Sequence, residues 1–141
     1  MPEARRPRPA RSGTYEGETA TLNVARHDVD EWLEAAGIGD AIRRSVALVV
    51  SELATNAVQA APAHAYDVHV EFTTDSSIAI RVRNDIVTTT VPERADWHPV
   101  DQLAARGRGL SVVDHLADSV DVDESDADTV TVTALMRVVG A

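Results

Sequence analysis

Ser45-Val46-Ala47-Leu48-Val49-Val50-Ser51-Glu52-Leu53-Ala54-Thr55-Asn56-Ala57-Val58-Gln59-Ala60 is the stretch on which the fold turns. Val46, Val49, Val50, Leu53 and Ala57, with Ile42 before them, recur at steps of three and four, which describes a helix with one core-facing stripe. Glu52 and Asn56 stand four positions apart inside it, so both side chains leave one helix face toward the same space. Polar groups among apolar neighbours are costly unless something satisfies them, so the pair is expected to face a site. A carboxylate can orient or deprotonate a hydroxyl, and an amide oxygen can complete the shell of a magnesium ion. From spacing alone, a solvated Glu and Asn on an amphipathic helix is the competing reading.

Working outward, Asp40 is the expected N-cap of this helix and Pro62 its limit. Upstream, Thr19–Val24 alternates weakly and is expected to be a first strand, followed by a helix over Arg26–Ala36 that Gly37 ends. Downstream, Tyr66–Thr73 and Ile78–Arg83 alternate at period two around Asp75-Ser76 and predict a hairpin. Residues 85–106 contain Pro92 and Pro99 and show no period beyond a short helix at Val100–Ala105; a loop of that length suggests a lid. Gly107-Arg108-Gly109 opens a short helix over residues 110–117, and strands at Ser119–Asp123 and Thr129–Val138 complete the chain.

The 141 residues suffice for one domain, with residues 1–14 as a flexible Arg/Pro-rich tail and 15–141 as the folded unit. All 13 basic residues are Arg, so a P-loop ending in Gly-Lys-Ser/Thr is excluded. Residues 1–12 hold four Arg against one Glu, leaving nine Arg against 22 acidic residues in the body. Such an acidic body argues against nucleic acid as a direct partner, because phosphate binding is largely electrostatic. No apolar run is long enough for a membrane span, there is no cysteine, and the opening lacks the apolar core of a signal peptide, so a cytoplasmic location is expected. His27, His64, His69 and His98 show no metal-ligand spacing, and Ser111 with His115 lacks a nucleophile elbow. The acidic cluster from Asp118 to Asp128 reads as a solvated hairpin or an interaction face.

Glu52-Leu53-Ala54-Thr55-Asn56-Ala57 closely resembles the N-box of the GHKL ATPases, specifically the anti-sigma-factor type of serine/threonine kinase, and Gly107-Arg108-Gly109-Leu110 resembles that family's second glycine box. The resemblance runs over about residues 15–138 and implies an α+β Bergerat fold: a two-layer sandwich of a mixed, mostly antiparallel sheet with helices on one face. It implies bound ATP and Mg²⁺, with Glu52 as catalytic base, Asn56 as metal ligand, and Gly107, Arg108, Gly109 and Leu110 around the phosphates. Asn84 takes the position of the family's adenine-reading Asp at the end of the Arg81–Asp85 strand, and Thr129 that of its adenine-supporting Thr. Three departures stand out: Asn in place of Asp at 84, Ile86 and Thr88 where glycines are expected, and Asp128 in place of a glycine. Family membership further implies phosphorylation of a Ser or Thr on an antagonist protein, sequestration of a sigma factor, and compatibility with a homodimer. A non-enzymatic interaction module of the same fold, with weak or lost ATP use, is the alternative that the missing glycines raise.

Overall fold

The computed structural model describes residues 10–61, 63–73, 76–85, 113, 115–124 and 128–138. In chain order the elements are β1 (Ala10–Tyr15), α1 (Ala20–Ala35), α2 (Asp40–Ala60), β2 (Tyr66–Phe72), β3 (Ser77–Asp85), β4 (Ser119–Asp123) and β5 (Thr129–Arg137). Of the lid expected over 85–106 only Asp85 is described, as the last residue of β3, and the glycine box at 107–110 and half of the helix expected over 110–117 lie outside the described residues.

Near the N-terminus the structure departs from expectation. Thr19–Val24 is not a strand: α1 starts at Ala20 and buries Ala25, Val29 and Leu33, four apart, so the helical period reaches further back than the weak alternation suggested. The first strand is Ala10–Tyr15, all but its last residue in the stretch assigned to the tail, and it pairs antiparallel with β2 from Ala10↔Glu71 to Tyr15↔Tyr66. Its side chains are mostly polar, and only Tyr15 is buried, so this edge strand is held by the ladder rather than by an apolar face. The Tyr15 hydroxyl donates to Asp28 on α1 at 2.9 Å, which ties the strand to the helix.

Gly37 ends α1 as expected. At φ 85° it takes the left-handed conformation, its N–H reaches the Glu34 carbonyl, and the Ile38 N–H reaches the Leu33 carbonyl, each at 3.0 Å, which together form a Schellman motif. Gly39, not Asp40, occupies the N-cap of α2. Asp40 is instead the first helical residue, where its charge suits the helix dipole and its carboxylate accepts from Arg43 at 2.6 Å.

The five strands form one sheet in the order β1-β2-β3-β5-β4, and every described ladder is antiparallel. One face is apolar. Tyr66, Val68 and Val70 of β2, Ile78, Ile80 and Val82 of β3, and Val130, Val132, Ala134 and Met136 of β5 meet the buried stripes of α1 and α2. Val113, from the expected third helix, joins the same core. Trp32 stacks on Phe72 with ring centroids 4.9 Å apart and closes one end of this layer. At the other end Tyr15, Tyr66, Asn84 and Val130 form a row across four strands.

Candidate nucleotide site

Among the described residues only three polar side chains are buried: Asn56, Ser77 and Asn84, at 6%, 3% and 4% exposure. Two of the three are residues that the motifs single out. Asn56 falls on the core stripe of α2 because it follows Val49 and Leu53 by seven and three positions. Its Nδ2 is buried with no hydrogen-bond partner. An orphaned buried amide nitrogen costs about 1–3 kcal/mol, which a fold tolerates when the group serves something else. No described partner fixes which way the amide faces, so either its oxygen or its nitrogen can be presented to a ligand. Glu52, one turn earlier, is half-buried, and among the described residues nothing pairs with its carboxylate.

The connection 61–65 is short, so the last turns of α2 sit at the end of the sheet where β2 begins. Gly17 makes that connection compact. A Cβ there would lie 2.2 Å from the His64 carbonyl oxygen, and the Gly17 carbonyl accepts from the Ala63 N–H at 3.0 Å. Tyr66, the first residue of β2, is directly opposite Asn84, so Asn84 shares the helix-covered face with Val82 and Ile80. Asp85 is exposed on the other face, as period two requires. Asn84 donates Nδ2–H to the Asp85 carbonyl at 2.9 Å. Only the nitrogen can make that bond, so Oδ1 is left as an acceptor. His64 approaches the Asp85 carboxylate at 3.7 Å beside this end of the sheet.

Thr129 is placed differently from Asn84. It pairs with Asp85, while Val130 pairs with Asn84, so alternation assigns Thr129 to the outer face and Val130 to the inner. The structure therefore buries Asn56 on the core side of α2, with Glu52 one turn away, and Asn84 on the helix-covered face of β3, while Thr129 falls on the other face of the sheet. Gly107, Arg108, Gly109 and Leu110 lie outside the described residues. The residue directly opposite Asn84 is Val130, on the buried face as the strand period counted from Val132 and Ala134 requires.

Elsewhere the surface offers less. An open groove between α1 and α2 is lined by Arg26, Asp30, Arg43 and Arg44 among others, and by none of the candidate residues. Arg43 is already engaged by Asp30, Asp40 and the Ile38 carbonyl. Burial raises the Tyr15 and Tyr66 hydroxyls above their ordinary range. Among the described residues no cluster of His, Asp and Glu could hold a metal ion by itself, and no helix is long and apolar enough to cross a membrane.

The histidine kinase-like ATPase domain family matches residues 15–135. No curated protein sequence matches the chain. Among solved structures, the RsbU and RsbW domains of Rv1364c from Mycobacterium tuberculosis superpose with a TM-score of 0.67 at 19% identity, covering 92% of this chain. This chain spans only 32% of that one. The SiaB–SiaC complex from Pseudomonas aeruginosa gives a TM-score of 0.63 at 14% identity, covering 95% of this chain and 93% of the other. At such identities the likeness is one of fold, and it agrees with the antiparallel α+β sandwich described above. The family match extends from Tyr15 in β1 to Leu135 in β5 and takes in both buried asparagines, so the chain belongs to the histidine kinase-like ATPase domain family.

Proposed function

We propose that this domain binds Mg·ATP against α2 and β3, and acts as an anti-sigma-factor-type regulator. In this reading it phosphorylates a Ser or Thr of an antagonist protein and sequesters a sigma factor. The observation that carries the reading is the unpartnered amide of Asn56, buried one helical turn from a half-buried Glu52 that no described residue pairs with.

The residues suit the group. Bound magnesium would neutralise phosphate charge, which is most of what phosphoryl transfer asks of a site. Asn56 would present its oxygen to that ion, leaving its nitrogen free to donate to a phosphate oxygen. Glu52 would accept the proton of the attacking hydroxyl. Asn84, with its nitrogen committed to Asp85, would offer an uncharged acceptor to an exocyclic amine of the base. Gly107, Arg108, Gly109 and Leu110 complete the proposal as the phosphate cradle, by resemblance. A partner-binding role is in keeping with the neighbour solved as a SiaB–SiaC complex.

The second reading, an interaction module of this fold with weak ATP use, is favoured by Ile86 and Thr88 at positions where the resemblance expects glycines. Calorimetric titration of ATP with and without Mg²⁺, followed by radiolabel transfer to a candidate antagonist, separates the two. Saturable Mg-dependent binding with transfer supports the kinase. Binding of the protein partner without nucleotide binding supports the module and removes the kinase reading.

A further inference from the structure

In the nucleotide-binding reading above, on which this inference rests, Asn84 faces the base, and an amide reads a base differently from a carboxylate. A carboxylate can only accept, so it selects an amino group and repels a carbonyl. The Asn84 amide carries both a donor and an acceptor, and a single bond orients it. Its Nδ2 donates to the Asp85 carbonyl at 2.9 Å, and the side chain makes no other hydrogen bond to a described residue. Tyr66, Val82 and Val130, its neighbours on the helix-covered face, are buried and uncharged, and the Tyr66 hydroxyl is engaged with Thr21 at 2.9 Å. The Asp85 carboxylate is on the opposite face beside His64, so it adds no charged acceptor to this one.

We infer that the domain accepts oxopurine nucleotides, those of guanine and hypoxanthine, alongside ATP, and that Asn84 sets the margin between the two classes through the orientation of its amide. In the orientation observed, Oδ1 is the atom left to a ligand, and it accepts from the amino group of adenine. Turned over, the amide presents Nδ2 as a donor to the carbonyl of an oxopurine and gives up its bond to Asp85. Asp85 is exposed at the last position of β3, so water can take the place of the amide at its carbonyl. The turn therefore costs about one neutral hydrogen bond, a factor of roughly three to ten in affinity. A carboxylate has no second orientation to offer. With an acceptor facing an acceptor in a buried place, it would reject the oxopurine by about hundredfold or more.

The test is calorimetry of the full chain with Mg·ATP and with Mg·ITP, whose base carries a carbonyl in place of the amine and, unlike that of GTP, no second amino group. Wild type should bind ITP about three- to tenfold more weakly than ATP. In Asn84→Asp the ratio should widen to about hundredfold or more, and in Asn84→Ala, which offers neither donor nor acceptor, it should fall to about one. The ratio within one variant does not depend on how much of it is folded, because both nucleotides bind the same folded fraction. If wild type binds ATP but takes ITP more than about hundredfold more weakly, the inference is overturned while nucleotide binding stands. A ratio identical in all three proteins also overturns it, since Asn84 is then not the source of selection. Binding of neither nucleotide by wild type overturns both the inference and the reading on which it rests.

Discussion

The side-chain amide of Asn84 donates to the backbone carbonyl of Asp85 at 2.9 Å, and this bond decides what the end of β3 can offer a ligand. From sequence alone, Asn84→Asp restores a charged acceptor and predicts tighter ATP binding. The bond adds an opposing effect, because an aspartate cannot donate and would set its charge against the Asp85 carbonyl in a buried place. Asn84→Asp should therefore destabilise the free protein by about 1–3 kcal/mol in urea unfolding, yet show a larger Mg·ATP-induced rise in Tm than wild type. A Tm shift no larger than that of wild type removes Asn84 from the base pocket.

Asn56→Leu separates stability from function. The exchange removes an unpaired buried amide and keeps its branched outline in a larger side chain, so the gain from losing the amide and the cost of extra volume oppose each other and the free protein should stay within about 1 kcal/mol of wild type. Calorimetry on the same variant should show Mg·ATP affinity lost by at least tenfold, with less effect on magnesium-free nucleotide. A clear loss of stability would mean that the amide has a structural partner, and its metal role would lose its main support.

For Glu52→Ala the expected outcome is loss of phosphoryl transfer with nucleotide affinity within about threefold of wild type, since a base acts on the attacking hydroxyl and not on the resting ligand. Transfer at the wild-type rate in a radiolabel assay would exclude Glu52 as the base.

Gly17→Ala tests the junction that brings α2 to the Asn84 end of the sheet. The added Cβ would meet backbone, the His64 carbonyl oxygen at 2.2 Å, so one of the two segments must move, at about 1–3 kcal/mol in chemical denaturation. Gly13→Ala is the control. Its nearest contact is the Tyr15 hydroxyl at 2.7 Å, the far end of a side chain, and a smaller loss is expected.

On the outer face, a hydrogen bond from Arg81, and then one from His69, holds the Glu71 carboxyl below its ordinary 4.5. A carboxylate with a lowered folded pKa contributes stability that is complete above its unfolded value and lost as pH falls through its folded value. Glu71→Gln should thus destabilise modestly at pH 7, by no more than about 1 kcal/mol for so exposed a pair, and the gap to wild type should close in acid. A gap that stays constant from pH 7 to pH 3 would contradict this origin.

Strong local periods make several elements legible in the sequence alone. The stripe from Val46 to Ala57 specifies α2, two alternating runs specify the β2–β3 hairpin, and Gly37 marks its helix end, because each of these signals lies within one element. The N-box spacing likewise determines that Glu52 and Asn56 share a side of one helix. Strand β1 is not legible in this way: Ala10–Tyr15 buries a single side chain, and its hydrogen bonds go to residues more than fifty positions away. The cap of α2 falls at Gly39 rather than Asp40, whose carboxylate accepts from Arg43 within the first turn instead of capping it.

What the sequence by itself determined was the kind of fold and the side chains available for chemistry, since both follow from patterns a few residues long. Only the tertiary structure decided that the Asn56 amide is orphaned, that Asn84 spends its nitrogen on Asp85, and that Val130 rather than Thr129 lies beside Asn84. Those outcomes depend on the register between strands and on which surfaces close over each other. Register is a relation between distant segments, and no local pattern carries it.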